Sequence, residues 1–201
     1  MSTRLAVDLD GVLANFVYGF VKYVKSGVMV YSPYEKWVET GYEPRAWDFP
    51  EIINRELFKQ AISTFHEQPL FWQSLPSYVA NCNAMAEFLA QRPDVNVVYL
   101  TARPSPSKGP SALVQTNRWL RAQGLLGDAA SVVVVMDWQS KVKIVEILAV
   151  DAVIDDHPLT IDRIRLKGAC GADAKLLSRP WNRDANLPRC DSLKEWLDSI
   201  K

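Results

Sequence analysis

A chain of 201 residues is long enough to bury a full core, and one domain carrying an insertion is its simplest organisation. Basic and acidic residues balance at 23 each, so the overall charge asks for no polyanionic partner, and neither a membrane surface nor long nucleic acid is expected. Three cysteines (Cys82, Cys170 and Cys190) without CxxC spacing, no signal-peptide pattern and no apolar run of bilayer length together predict a cytoplasmic protein with reduced thiols, with neither a disulfide framework nor a zinc site.

The first predicted element is a short buried strand, Leu5–Asp8, running into Asp8-Leu9-Asp10-Gly11. Residues 16–76 then break the rhythm. They are rich in aromatics and turn signals, and they contain two helical stretches, Phe16–Lys25 and Glu51–Thr64, with no convincing strand. This segment is read as a small helical cap inserted after the first strand, with residues 1–15 and 77–201 forming the core domain. From there the alternation is regular. A helix over Ser77–Gln91, with Ser77 as its N-cap, precedes a strand over Val95–Leu100 ending in Thr101-Ala102-Arg103-Pro104. A polar loop leads to a helix from about Ser111 to Gln123, stopped by Gly124. Ser131–Met136 is nearly continuous in apolar residues, as a strand buried on both faces would be. A helix over Ser140–Val150, a strand over Ala152–Ile154, a helix over Pro158–Lys167, a strand over Lys175–Leu177 and a helix over Asp191–Ile200 complete the chain. Strands alternating with helices predict an α/β fold, a doubly wound parallel sheet.

In such a sheet the carboxyl ends of the strands share one edge, where ligands bind. Asp8 and Asp10, two residues apart, project from one face of the first strand's end. Gly11 lets the backbone turn and leaves room for a ligand. Thr101, Asp137 and Asp155-Asp156 follow later strands. Carboxylates gathered at one edge repel one another, and a cation removes that cost; oxygen-only ligands favour Mg²⁺ over zinc. His66 and His157 have no zinc spacing and read as packing or surface residues. A phosphoryl group at the same edge needs hydroxyl donors and positive charge. Thr101 offers the hydroxyl. Lys141 shares a helix face with Ile144, Val145 and Leu148, so it is a buried lysine in want of an anion, whereas Lys143 points to solvent.

The segments Asp8-Leu9-Asp10-Gly11-Val12, Thr101, Lys141 and Asp155-Asp156, in this order on alternating strands and helices, resemble the four motifs of the haloacid dehalogenase (HAD) superfamily of phosphotransferases. More narrowly, residues 8–16, 100–104, 152–158 and 180–183 resemble the 5'(3')-deoxyribonucleotidase-like phosphatases; His157 stands where that family usually has arginine, and the loop before Lys141 is not a close match. The resemblance implies a HAD-like core and an Mg²⁺-dependent hydrolase of nucleoside monophosphates acting through an aspartyl-phosphate. It implies Asp8 as nucleophile and Asp10 as acid and base. Asp8, the Asp10 backbone carbonyl and Asp156 would hold Mg²⁺, with Asp155 as a further ligand or support. Thr101 and Lys141 would hold the phosphoryl oxygens, and Arg103 either joins them or faces solvent. Phe16, Trp47, Phe71 and Trp72 are candidates to stack on a base, against the simpler alternative that they form the cap's own core. Two other readings stay open: a phosphatase for nucleic-acid ends or another small phosphomonoester, and a non-catalytic phosphate-binding protein. Homodimerisation is left open.

Overall fold

Alternation along the strands decides the two faces of the sheet. In the first strand, Leu5 and Val7 belong to one hydrophobic cluster and Ala6 to a second. In the second strand, Val97 and Tyr99 face the first cluster, and Val98 and Leu100 the second. Near-continuous apolar strands of this kind fit a sheet covered by helices on both sides. The computed structural model describes residues 2–27, 44–46, 55–168 and 171–201.

Its sheet has six parallel strands: β1 (Arg4–Val7), β2 (Asn96–Ala102), β3 (Ala130–Val135), β4 (Ala152–Asp155), β5 (Asp173–Leu177) and β6 (Arg189–Cys190), in the order β3-β2-β1-β4-β5-β6. The described helices are α1 (Phe16–Gly27), α2 (Arg55–Thr64), α3 (Val79–Gln91), α4 (Ala112–Ala122), α5 (Trp138–Leu148), α6 (Pro158–Leu166) and α7 (Leu193–Asp198), with short 3₁₀ turns at Phe65–Glu67, Trp72–Ser74 and Pro180–Asn182. The doubly wound parallel sheet is as predicted. None of these helices is long and apolar enough to cross a membrane.

Three details depart from expectation. The two-residue β6 has no periodicity to announce it; it pairs with the end of β5 through Leu176 and Leu177. Strand β3 is half-buried rather than buried on both faces, because it is an edge strand with one neighbour. Tyr78, not Ser77, is the N-cap of α3, and its side chain makes no capping bond. Ser111 does cap α4, accepting from the Val114 N–H.

Between β1 and α3, the described part of residues 16–76 is helical apart from its turns. Its aromatics pack on each other: the rings of Phe16 and Trp72 stack at 6.1 Å, and those of Phe65 and Phe71 meet edge-on at 4.9 Å. This cluster is continuous with the first face of the sheet. Helix α4 fastens it: the Gln115 side-chain oxygen accepts from the Trp72 backbone N–H, and the Trp119 indole donates to the Leu75 carbonyl.

Candidate active site

β1 lies between β2 and β4, so the carboxyl ends of these three strands are neighbours. Asp8 follows β1, Thr101 sits near the end of β2 and Asp155 closes β4. Sequence separations of 91 and more are thereby closed to hydrogen-bond distance. Helix α5 packs against the second face. Asp137, which follows β3, is its N-cap and accepts from the Ser140 N–H at 2.7 Å. Asp137 is thus spent on the helix and does not join the other strand-end acids.

Capping α5 in this way aims Lys141 inward. Its Nζ lies 2.8 Å from Asp8 Oδ2 and 3.0 Å from Asp155 Oδ2, and all three residues are buried. Lys143, on the other side of the helix, is exposed as expected. Burial lowers the affinity of Lys141 for its proton, but Asp155 and Asp8 more than offset this and hold the ammonium above its ordinary range. Asp155 also accepts from the His157 backbone N–H at 2.8 Å. Asp156 turns the other way: its Oδ2 accepts from the Trp181 indole at 2.9 Å, and its carbonyl from the Asn182 amide at 2.8 Å. Trp181 and Asn182 therefore secure this acid from the loop after β5.

One oxygen from each of Asp8, Asp155 and Asp156 lies within 4.8 Å of the others. Two of these buried carboxylates, Asp8 and Asp155, share the Lys141 ammonium, and Asp156 has the Trp181 indole instead. Burial, then Asp155, push Asp156 up to about 7, and burial, then Asp155, hold Asp8 well above the carboxylate range. An all-oxygen set with an excess of negative charge fits a hard divalent cation, and Mg²⁺ or Ca²⁺ has this preference.

Beside these acids a cavity of about 190 Å³ is lined by Asp8, Asp10, Thr101, Lys141, Asp156, Trp138 and His157 among others. Asp155 does not line it and stands behind Lys141. Asp8, Asp10, Thr101, Lys141 and Asp156 are thus brought together. Arg103 is not among the lining residues. It is buried, donates to both oxygens of Asp10 at 2.7 and 2.8 Å, and donates to Thr116 Oγ1 at 2.9 Å, so it neither faces solvent nor turns its fork to the cavity.

The proposed base-stacking residues need correction. Phe16, Phe71 and Trp72 are buried in the aromatic cluster, and none lines the cavity. The alternative reading as internal core describes them, because rings that have each other to cover them present no free face. Trp47 lies outside the described residues. Conversely, Trp138 and His157, with ring centres 5.9 Å apart, supply the aromatic wall that sequence reasoning missed. Trp138 at the first position of α5 and His157 beside the second acid carried the signal: both flank predicted strand ends. Arg179, which donates to the Gly11 carbonyl at 2.6 Å, was missed as well.

No protein-family model and no curated protein matches the sequence. Solved structures do. The L-2-haloacid dehalogenase of Xanthobacter autotrophicus is 13% identical with TM-score 0.54, covering 98% of both chains. YfnB of Bacillus subtilis, described as a HAD-hydrolase and determined with bound magnesium, is 13% identical with TM-score 0.56, covering 99% of both chains. A haloacid dehalogenase-like protein of Burkholderia xenovorans is 10% identical with TM-score 0.54, covering 98% of this chain and 96% of that one. By its sheet order and these likenesses, the chain has the haloacid dehalogenase-like α/β fold.

Proposed function

We propose that this protein is a Mg²⁺-dependent phosphomonoesterase acting on nucleoside monophosphates, with deoxyribonucleotides as the first class to test. The observation that carries this reading is the meeting of Asp8, Lys141, Thr101, Asp10 and Asp156 around one cavity at the carboxyl edge of the sheet. A HAD-like neighbour determined with magnesium supports the cation.

Asp8 is the nucleophile: one of its carboxylate oxygens forms a bond to phosphorus while the bond to the leaving sugar oxygen breaks, giving an aspartyl-phosphate. Asp10 delivers a proton to that leaving oxygen, then takes one from the water that attacks phosphorus and frees Asp8. Lys141 and Thr101 hold phosphoryl oxygens. Asp8, Asp156 and the Asp10 carbonyl would hold the cation, supported by Asp155, and when bound it offsets the carboxylates and polarises the phosphoryl group. Trp138 and His157 offer the surface against which a base or sugar would rest.

Two features favour phosphoryl transfer over dehalogenation. Displaced halide leaves as a stable anion and needs no proton, so the role of Asp10 as acid to the leaving group would be idle. A 2-haloacid also brings no phosphoryl charge to call for the extra acids and their cation.

Purified protein should release phosphate from dUMP or dTMP with Mg²⁺, and Asp8→Asn should remove this activity while leaving the fold intact by circular dichroism. Full turnover in Asp8→Asn would overturn the nucleophile assignment. Chloride release from 2-chloropropionate without any phosphate release would overturn the function.

A further inference from the structure

We propose that Arg103 is a positioning residue that holds Asp10 as the proton acceptor for breakdown of the phosphoenzyme, and that Trp72 and Thr116 set Arg103 in turn; the proposal rests on the hydrolase reading above. The argument begins with strand parity. The backbone N–H of Arg103 donates to Val135 O at 2.9 Å, so Arg103 continues the register of β2. It therefore shares a face with Tyr99 and Thr101. That face is covered by α4 and the aromatic cluster, not by α5. An arginine in this position is directed under the sheet edge, away from the lysine.

Its surroundings engage all three nitrogens and one face of the guanidinium. Nε donates to Asp10 Oδ2 at 2.8 Å, Nη2 donates to Asp10 Oδ1 at 2.7 Å, and Nη1 donates to Thr116 Oγ1 at 2.9 Å. The Trp72 ring lies 5.0 Å from the guanidinium carbon, a cation–π contact, and the Trp72 indole is itself anchored by donating to the Pro104 carbonyl at 2.9 Å. Arg103 is 1% exposed. A two-pronged grip fixes both the position and the plane of a carboxylate, which a lysine's point charge does not.

The grip also distinguishes the two oxygens of Asp10. Oδ2 accepts twice, from Arg103 Nε and from Thr101 Oγ1 at 3.0 Å. Oδ1 accepts from Arg103 Nη2 alone among the described residues. A carboxylate oxygen has two lone-pair sites, so Oδ1 keeps one open. Asp10 lines the cavity, and Arg103 does not. The open site on Oδ1 is the one that accepts the proton when water bonds to phosphorus and the bond from phosphorus to Asp8 breaks. All of Asp10's side-chain bonds among the described residues are accepted ones.

The consequence is specific to the second half of the reaction. With p-nitrophenyl phosphate the leaving group departs without needing a proton, so the first half does not depend on Asp10. Arg103→Lys should therefore form the aspartyl-phosphate at close to the normal rate and break it down slowly. The expected result with Mg²⁺ and p-nitrophenyl phosphate is a stoichiometric burst of p-nitrophenol, followed by steady turnover lowered about 10- to 100-fold, the scale of a misplaced catalytic group. Thr116→Val, which removes only the support at Nη1, should give the same burst with a smaller loss. Thermal melts of both variants separate this from unfolding. Loss without a burst, or unchanged turnover in a folded Arg103→Lys, would overturn the proposal. No phosphate release from any phosphomonoester by the unmodified protein would instead overturn the hydrolase reading on which it rests.

Discussion

Lys141 carries its ammonium into a space where Asp8 and Asp155 leave it almost no water. A buried charge of this kind tells little about net stability while its partners are present, because the cost of desolvation offsets the attraction. Removing it is another matter. Lys141→Met should leave two buried carboxylates without their counter-charge and destabilise the metal-free protein by about 3–5 kcal/mol, measured by urea unfolding. Added Mg²⁺ should restore part of this loss, since a cation held by the same carboxylates replaces the missing charge. The sequence announced Lys141 because its helix face is otherwise apolar. Arg103 gave no such sign: its partners, Asp10 and Thr116, come from separate elements, and Asp10 is 93 residues away.

At the scale of elements, the tight turn after β1 determines the floor of the site. Gly11 adopts φ +81°, a conformation that side chains disfavour, and a Cβ there would meet Asp156 Oδ2 at 2.1 Å. Gly11→Ala should therefore displace the carboxylate proposed to hold the cation. We expect a folded protein that is about 1 kcal/mol or more less stable and binds Mg²⁺ at least tenfold more weakly by calorimetry. Unchanged binding would mean that Asp156 is not a ligand. The turn was legible as Asp-Gly after an apolar run. The close approach of Asp156 was not, because it depends on β4 lying next to β1.

For the whole molecule, the acid cluster links stability to pH. Burial and Asp155 raise Asp156 from an ordinary 3.8 to about 7. Between those values the folded state binds a proton that the unfolded chain releases. The stability this group contributes is present below about pH 4 and is lost as pH rises through about 7. Asp8 shifts in the same direction. Metal-free protein should therefore gain stability from Asp156→Asn, and more at pH 8 than at pH 5. One kcal/mol appears as roughly 2–4 °C in Tm for a chain of this size. Mg²⁺ should raise the Tm of the unsubstituted protein more at pH 8 than at pH 5, because it competes with those protons. Equal responses at both pH values would show that the cluster does not titrate as a unit with the metal.

Local physics was enough for much of this protein. Period-two and period-3.6 patterns are properties of neighbouring residues, so five of the six strands, the helices and the parallel, doubly wound character could be read from the chain. So could the acids and threonine waiting at strand ends and the lysine on the helix that follows β3. Other features belong to juxtaposition alone. The strand order, the edge position of β3 and the pairing of β6 depend on which strands meet. Phe16, Phe71 and Trp72 cover one another, while Trp138 and His157 line the cavity, because packing decides which rings keep a free face. Arg103 was read as a candidate for phosphate or solvent; tertiary structure supplied Asp10 on one side, Thr116 on another and the Trp72 ring against its face. A guanidinium can serve any anion in reach, and only the folded chain determines which anion that is.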